Sequence, residues 1–295
     1  MISSQSSKSH LYNSSIWGEE DVSSGKAAKD ENFPVGSLLI SRELRPHVQA
    51  YYDFARVIDD IADSEMLSAE EKINRLNGME AVLCKDVPAP DRSDVWTARR
   101  LHNSFIETGV SFDTATDLLI AFRQDAVKTR YKSLEELIQY CRYSANPVGH
   151  FLLNLHKEGP DTIPASDALC TSLQILNHLQ DCKTDLIKLG RCYIPLDLMQ
   201  KHNVVVEDLL ADTTSFSLRT IFNSLLDYID ALNKEAEDLP RLTRNRRLRL
   251  EAAVIVYLAK FLAQRLRNED PLAGRVKLSK KDVLYSTLKS FRHFM

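Results

Sequence analysis

A stretch of thirteen residues, YYDFARVIDDIAD, constrains this chain more than any other part of its sequence. Its polar side chains recur at the spacing of one helix face: Tyr52, Arg56, Asp59, Asp60 and Asp63 lie at i, i+4, i+7, i+8 and i+11. Most positions between them are apolar. The pattern therefore predicts a helix that packs one side on a hydrophobic core and has a strongly acidic opposite side.

A second acidic stripe occurs later in the chain, in the segment QILNHLQDCKTD. Gln174, Asn177, Asp181 and Asp185 lie at i, i+3, i+7 and i+11, which is again one face of a helix. On an ordinary amphipathic helix the exposed charges include both signs and form stabilising pairs, whereas these carboxylates repel one another. Either stripe alone is compatible with a solvated acidic face, but two matching stripes favour a shared function.

The repulsion within each stripe indicates what the two helices bind. Two like charges about 4 Å apart repel by about 4 kcal/mol at an effective dielectric constant of about 20, so clustered carboxylates that are partly buried require cations. Magnesium prefers oxygen ligands, keeps several waters, and usually joins one or two carboxylates to phosphate oxygens. The stripes therefore predict two facing helices that hold Mg²⁺ and a diphosphate group between them.

The composition agrees with a helical protein. Of 295 residues only 9 are Gly and 10 are Pro, while Leu, Ala and charged residues dominate. This balance favours helices over turn-rich sheets, so we predict an all-α fold. The chain is long enough to enclose a deep internal cavity, and nothing in its sequence marks a second domain.

Charge, cysteine usage and hydropathy limit the possible partners and location. The formal net charge of -3 argues against nucleic acid as a partner, since binding phosphate backbones requires a clustered basic excess. The five cysteines include no CxxC motif and come without a secretory signal, which predicts reduced thiols. The longest apolar run, residues 252–263, contains Lys260 and is too short for a membrane span. We expect a cytoplasmic protein, with peripheral contact at the inner membrane as a further option.

The chain divides into a short polar segment and one large domain. Residues 1–30 contain nine serines and little apolar periodicity, which predicts a disordered N-terminal segment. Residues 31–295 are predicted to form the helical domain. Its predicted helices are 46–64, 68–83, 94–108, 113–128, 133–157, 166–189, 205–211, 215–238, 242–268 and 279–293. Capping boxes are predicted for Ser68 with Glu71, Ser133 with Glu136, and Ser279 with Asp282.

At the two stripes the sequence resembles the squalene and phytoene synthase family. The first family motif, YxFARxxDDIxD, matches Tyr52 to Asp63, and the second, NxxxDxxxD followed by GRxYxP, matches Asn177 to Pro195. A third segment matches from Arg130 through SLEELIQYCRYSANPVG. The resemblance covers roughly residues 31–285. It implies a single-domain isoprenoid synthase fold, in which helices surround a central cavity and two Asp-rich helices face each other.

Within this family, the segments ENFPVGS and SANPVG are most similar to the bacterial branch that makes hydroxysqualene in hopanoid biosynthesis. The chain departs from the wider family at three places. Where many members have a Ser-Phe pair, it has Asn32, Phe33 and Pro34, and where many have an Arg before the second motif's first aspartate, it has Gln180. Where an Ala-Gly step is common, it has Ala145, Asn146 and Pro147. These departures disfavour the condensation of two farnesyl diphosphates and favour a related ionisation.

The resemblance implies a particular reaction. Presqualene diphosphate loses its diphosphate with the help of Mg²⁺ (Mn²⁺ is an alternative), the cyclopropylcarbinyl cation rearranges, and water captures it to give hydroxysqualene. No hydride donor is needed, so we expect no NADPH, in agreement with the lack of a GxGxxG or P-loop motif. Because substrate and product are so apolar, contact with a membrane surface or a partner enzyme is also expected.

The resemblance also implies the roles of single residues. The expected metal ligands are Asp59, Asp60, Asp63, Asn177, Asp181 and Asp185. The five aspartates are expected to act in catalysis together with Tyr52 and Tyr140. The expected substrate-binding residues are Arg56, Asn177, Gln174, Arg191, Tyr143, Phe33, Tyr257 and Arg275. Arg56 has a structural ion pair as its alternative role, and Arg191 is expected to reach the diphosphate from the loop after the second motif. His178 is expected to pack, or to contact a metal ligand, rather than to bind the metal itself.

Other readings of the sequence stay open. The chain could be a presqualene diphosphate synthase, a squalene synthase or a phytoene synthase, each of which condenses two prenyl diphosphates. A different class of function is a catalytically silent helical protein that carries substrate or assembles partner enzymes; the intact aspartates argue against it. Lys277, Lys280 and Lys281 follow the last expected site residue and form either part of a segment that closes over diphosphate or a solvated basic tail.

Overall fold

The structure is a computed structural model that describes residues 14–17, 40–85 and 87–290. These residues form the helices α1 (Ser14–Trp17), α2 (Arg45–Asp63), α3 (Ala69–Lys85), α4 (Ser93–Thr108), α5 (Asp113–Asp125), α6 (Leu134–Ser144), α7 (Asn146–Leu155), α8 (Ile163–Leu189), α9 (Leu196–Lys201), α10 (Phe216–Ala236), α11 (Leu239–Leu242), α12 (Arg246–Asn268) and α13 (Lys280–Ser290). Short 3₁₀ turns occupy Pro160–Thr162 and Val206–Leu210. The described residues contain no β-strand beyond one isolated bridge, between Arg130 and Cys192. The predicted all-α fold is confirmed.

Two clusters of buried side chains form the core. One draws mainly on α2, α3, α4 and α5, and the other on α6, α8, α10 and α12. The apolar side of α2 is fully buried in the first cluster, at Phe54, Ile58 and Ile61. Each such side chain contributes about 1.5–3 kcal/mol when it leaves water. Since α2 belongs to one cluster and α8 to the other, the two acidic helices lie on either side of the boundary between them.

The helix predicted over residues 133–157 is two helices. It breaks at Ala145, whose backbone has φ -126° and ψ -46°, and α7 then begins with Pro147 in its first turn. Proline lacks an N–H group and disfavours the α conformation at the residue before it, which explains the break. Asn146 accepts a hydrogen bond from the Thr171 hydroxyl at 3.1 Å and so connects the start of α7 to α8.

Other helix ends also differ from prediction. The helix predicted over 242–268 begins at Arg246 as α12, because Asn245 caps it by accepting hydrogen bonds from the Arg247 and Leu248 backbone amides. The short helix α11 that precedes it was not predicted. The predicted helix 205–211 is a 3₁₀ turn, and α9 was not predicted. α8 begins at Ile163, with a proline in its first turn, rather than at residue 166.

The three predicted capping boxes have different outcomes. Ser68 with Glu71, and Ser279 with Asp282, exchange both hydrogen bonds of the motif. Ser133 accepts from the Glu136 amide, but the Glu136 carboxylate accepts from the Lys132 amide instead of closing the box.

Part of the N-terminal segment that was predicted to be disordered has a defined place. Trp17 in α1 is buried against α3, where a Cβ atom at Gly78 would lie 2.8 Å from the indole ring, and Arg92 donates to the Trp17 carbonyl oxygen at 3.0 Å. The short helix α1 lies within segment 1–30, and the disorder of that segment stays a prediction. The other residues up to 39 lie outside the described residues, so the boundary at residue 30 stays a prediction. Within the parts of the chain that the structure describes, no helix combines the length and apolar composition needed to cross a membrane.

Candidate active site

A polar cavity of about 340 Å³ lies between α2 and α8. Both acidic stripes contribute to its wall, as the sequence predicted that they would face each other. The predicted site residues that line it are Tyr52, Arg56, Asp59, Asp63, Tyr140, Gln174, Asn177, Asp185 and Arg191. Residues that are far apart in the sequence thus form one enclosure whose wall is rich in carboxylate and amide oxygens.

Arg56 holds the acidic residues of α2 in place. Its guanidinium donates to Asp59 at 2.7 Å and to Asp60 at 2.8 Å, one helical turn further along. The planar group with several donors suits such a double contact better than a lysine would. Arg56 therefore restrains two predicted metal ligands while it also lines the cavity.

Arg191 joins the two acidic helices. α8 ends at Gly190, whose left-handed φ of +63° turns the chain and is readily adopted by glycine. The next side chain, Arg191, is only 5% exposed and donates to the Asp63 carboxylate and to the carbonyl oxygens of Ala62 (3.2 Å) and Asp125 (2.9 Å). The end of α8 is thereby fixed against the ends of α2 and α5.

Asp125 is a site residue that the sequence analysis missed. It is 5% exposed, lines the polar cavity, and accepts hydrogen bonds from the Tyr140 hydroxyl at 2.7 Å and the Tyr193 hydroxyl at 3.5 Å. Burial raises the pKa of Asp125 to about 7, although Arg191 and the two tyrosines act in the opposite direction. One sequence signal was present: an aspartate in the last turn of a helix is opposed by the helix dipole and needs a compensating partner.

The electrostatics of the cavity favour the binding of cations. Burial raises the pKa of Asp59 to about 8, the Asp63 carboxylate adds to the rise, and Arg56 opposes it. The Asp59 carboxyl therefore holds a proton near neutral pH, and a bound cation would displace it. Magnesium needs only one or two protein carboxylates when phosphate oxygens complete its coordination, and Asp59, Asp63 and Asp185 supply oxygens on both sides of the cavity.

The donor set fits magnesium bound together with substrate rather than a preformed metal cage. Among the described residues, no group of three or more His, Cys, Asp or Glu side chains is arranged to hold a metal ion by itself. The assignment of Asp59, Asp60, Asp63, Asn177, Asp181 and Asp185 as metal ligands stays a prediction.

His178 lines the polar cavity as a neutral ring. Burial lowers its pKa to about 3, and Arg191 adds to the effect. The imidazole stacks on Tyr193 with ring centres 3.6 Å apart, and Gln174 lies 3.3 Å from its Nε2 atom. The ring packs against its neighbours while it lines the cavity, and its role stays a prediction.

Asp60 and Asp181 do not line the cavity, and Asp181 has an arginine partner. Arg275 contacts both oxygens of Asp181, at 2.8 and 2.9 Å, and the neighbouring Gln180 donates to the carbonyl oxygen of Val276. The segment after α12 is therefore attached to the second acidic stripe, next to the expected diphosphate position.

Three expected substrate-binding residues in the described part of the chain do not line the polar cavity: Arg275, which pairs with Asp181, and the tyrosines Tyr143 and Tyr257. Tyr143 packs, partly buried, on the larger core cluster, and Tyr257 is half-buried on α12; neither lines this cavity or the apolar one next to it. Phe33 lies outside the described residues.

An apolar cavity of about 290 Å³ lies next to the polar one, with Tyr52 and Ala55 lining both. Leucine and isoleucine side chains from α7, α8 and α12 form much of its wall. Phe151 also lines it and stacks on Tyr51 with ring centres 3.9 Å apart. The combined space suits a ligand with a charged head and an apolar tail, and it lies entirely among helices.

An acidic cavity beside an apolar one, inside an all-α fold, defines the class of isoprenoid synthases. Solved structures of this class are similar: a squalene synthase, HpnC, from Alicyclobacillus acidocaldarius has a TM-score of 0.71 at 28% identity, covering 82% of this chain and 90% of that one. A dehydrosqualene synthase with a bound ligand has a TM-score of 0.75 at 21% identity, covering 90% and 92%, and supports the fold alone. The predicted isoprenoid synthase fold is confirmed.

The family follows from the sequence comparisons. Residues 26–282 match the Squalene/phytoene synthase family, and the chain belongs to that family. It is 40% identical to a hydroxysqualene synthase from Rhodopseudomonas palustris and 38% identical to one from Zymomonas mobilis, in each case over 88% of this chain and 87% of the relative. The predicted similarity to hydroxysqualene synthases within the family is confirmed. The family consists of enzymes that act on prenyl diphosphates.

Proposed function

We propose that this protein is a hydroxysqualene synthase, which converts presqualene diphosphate and water into hydroxysqualene and diphosphate. The observation that carries the proposal is the pair of adjacent cavities, of which the acidic one suits a diphosphate with Mg²⁺ and the apolar one suits prenyl chains. The relatives with this name match nearly the whole chain, which supports the same reaction.

The reaction breaks the carbon–oxygen bond to diphosphate, which leaves with the bonding electrons. Mg²⁺, or Mn²⁺ in its place, supplies positive charge to the leaving group when it is bound by Asp59, Asp60, Asp63, Asn177, Asp181 and Asp185. The cation then rearranges, water adds to it, and a proton leaves to give the alcohol. No reductant enters this balance, so the proposal includes no NADPH.

The protein's own side chains bind and orient the substrate. Arg56 and Arg191 place positive charge at the polar wall, where they attract diphosphate oxygens and keep Asp59 and Asp63 in position. In this proposal Arg275, which pairs with Asp181 in the free protein, transfers its contact to the diphosphate when that group is bound. The apolar wall excludes water from the prenyl chains, so that water reaches the cation only from the polar end.

Tyr52 and Tyr140 act beside the reacting carbon atoms. Tyr52 lines both cavities and lies where the diphosphate end meets the prenyl end. Tyr140 lines the polar cavity and donates to Asp125, which fixes the direction of its hydroxyl group. Aromatic faces at this position stabilise a cation without reacting with it.

Incubation of the purified protein with Mg²⁺ and presqualene diphosphate, without NADPH, tests the proposal. Hydroxysqualene is the expected product, and a parallel reaction with farnesyl diphosphate alone is expected to leave that substrate uncoupled. Presqualene diphosphate, squalene or phytoene formed from prenyl diphosphates would assign the protein to a condensing branch instead. No product from either substrate would favour a non-catalytic carrier or assembly role.

The proposal extends to where the protein works in the cell. A substrate and a product with such long apolar chains dissolve in a bilayer far better than in water. We place the protein in the cytoplasm with peripheral contact at the inner membrane, where it exchanges these molecules with the lipid or with a neighbouring enzyme.

A further inference from the structure

Helix α13 (Lys280–Ser290) has the opposite polarity from a helix that packs on a core. Its buried residues are Ser286 and Ser290, whereas Leu284 and Leu288 are each 61% exposed. Val283 and Tyr285 are also exposed. We call the surface formed by Val283, Leu284, Tyr285 and Leu288 the outer face of α13.

The helical spacing accounts for this inversion. Asp282, Ser286 and Ser290 lie at i, i+4 and i+8 and face the protein, while Lys281, Leu284 and Leu288 lie at i, i+3 and i+7 on the opposite side. A helix that packed through its apolar residues would present the leucines to the core and the serines to water. The outer face is therefore an apolar surface displayed by a helix whose polar side holds it in place.

Several contacts fix α13 in this orientation. The Asp282 carboxylate accepts from Arg265 on α12 at 2.9 Å and closes the capping box with Ser279. Tyr285 packs edge-on against Phe261, with ring centres 5.5 Å apart. The exposure of the two leucines is thus a consequence of how the helix is attached.

The outer face is surrounded by positive charge. Lys277, Lys280, Lys281 and Lys289 are exposed around it, and the one acidic residue of α13, Asp282, is paired with Arg265. The complete chain has a formal net charge of -3, so this basic group is a local feature. The sequence after α13 continues as FRHFM, which again combines large apolar residues with an arginine.

We infer that the outer face of α13 docks on an anionic lipid bilayer. A short helix with exposed leucines, an aromatic residue and flanking lysines has the composition of an interfacial helix, which buries its apolar side chains among acyl chains while lysines contact anionic headgroups. The lysines also argue for a bilayer over a second copy of this chain, because two copies of the same basic face repel each other.

Docking there places the active site close to the bilayer surface. α13 begins five residues after Arg275, which contacts Asp181 in the second acidic stripe. Five residues of extended chain span at most about 18 Å, so the helix starts within that distance of the Arg275 backbone. The inference deepens the proposed function. It rests on that function only to explain why a membrane contact would benefit the protein.

Flotation with lipid vesicles tests the inference. The full chain is mixed, without substrate, with vesicles of phosphatidylcholine alone or with about a quarter phosphatidylglycerol. The Leu284→Ser/Leu288→Ser variant removes the apolar contacts, and the Lys280→Gln/Lys281→Gln variant removes two charges. A matched control, Ile106→Ser/Phe216→Ser, replaces apolar side chains that are 67% and 90% exposed on other helices. Circular dichroism establishes that each variant is folded, and light scattering gives the oligomeric state of the wild type and of each variant.

The wild-type chain and the control are expected to float with anionic vesicles. The leucine variant should bind about tenfold more weakly or worse, and the lysine variant about tenfold to thirtyfold more weakly on anionic vesicles only. The inference is overturned if the wild type does not bind, if the control loses as much binding as the leucine variant, or if the leucine variant dissociates a wild-type dimer.

Turnover of detergent-dispersed presqualene diphosphate separates this inference from the proposed function. A chain that makes hydroxysqualene but does not bind vesicles refutes only the membrane contact. A chain that binds vesicles through α13 and makes no hydroxysqualene refutes only the proposed reaction.

Discussion

Replacement of Arg191 by alanine tests whether this residue joins the two halves of the site. The side chain is 5% exposed and makes one charge-assisted contact to Asp63 and two hydrogen bonds to the carbonyl oxygens of Ala62 and Asp125. Breaking a buried ion pair from one side costs about 3–5 kcal/mol, because the remaining charge loses its compensation. Because Asp63 also lines the cavity, its charge is not completely enclosed by protein. We therefore expect the free energy of unfolding to fall by an amount near the lower limit, about 3 kcal/mol.

This loss is measurable by thermal unfolding at neutral pH. A change of about 3 kcal/mol lowers the melting temperature of a chain of this size by about 6 °C. The control is Arg241→Ala, because Arg241 forms an exposed pair with Asp238 and such pairs contribute about 0–1 kcal/mol. Arg191→Lys keeps the positive charge but loses the planar group with several donors, so its melting temperature should lie between those of Arg191→Ala and the Arg241→Ala control.

The pH dependence of stability provides a second readout. The pKa of Asp125 is raised by burial to about 7 in the folded protein, above its unfolded value, so the folded state binds more protons and stability falls as pH rises from about 4 to 7. Arg191 lowers this pKa, so its loss should raise the pKa of Asp125 and extend the fall to higher pH. An Arg191→Ala protein that unfolds like the Arg241→Ala control, with the same pH profile as the wild type, would refute the reasoning.

Three further predictions concern the site and the cavities. Asp181→Ala should abolish diphosphate release from presqualene diphosphate, while circular dichroism shows an unchanged helix content. The control Asp227→Ala, on an exposed face, should leave turnover intact. Normal turnover in the Asp181→Ala variant would refute the two-helix magnesium hypothesis. Because the pKa of Asp59 is raised to about 8, Mg²⁺ and diphosphate should bind more tightly above about pH 8 than near neutrality, and binding should release a proton. Calorimetry in buffers of different ionisation enthalpy detects this release. A binding heat that is the same in every buffer would contradict the prediction. Phe151→Ala should lower the free energy of unfolding by about 3–5 kcal/mol in a urea titration. The ring is buried and stacked on Tyr51, so its removal leaves a cavity. A loss below about 1 kcal/mol would contradict this, because it would mean that the apolar pocket collapses around the change.

The prediction from the sequence was strongest where the information is local. The spacing of Asp59 and Asp63 on one helix face and of Gln174 and Asp185 on another required only the helical repeat, and both helices form as expected. The capping box at Ser68 was also recognisable, because its hydrogen bonds join residues three positions apart.

Predictions of helix ends were weaker, because competing local effects decide them. Periodicity continued across residue 145, but Pro147 interrupts the backbone hydrogen bonds there and the chain forms two helices. The same holds for Asn245, whose capping hydrogen bonds start α12 at a point where the apolar pattern gave no boundary.

The sequence by itself determined the all-α class, the two acidic helices and the family, since these depend on residue order and periodicity. Only the tertiary structure decided that Arg191 contacts Asp63, that Asp125 is a buried member of the polar wall, that Arg275 pairs with Asp181, and that the apolar side of α13 faces outward. Each of these depends on contacts between elements that are far apart in the chain, and periodicity along one helix carries no information about which element packs against it.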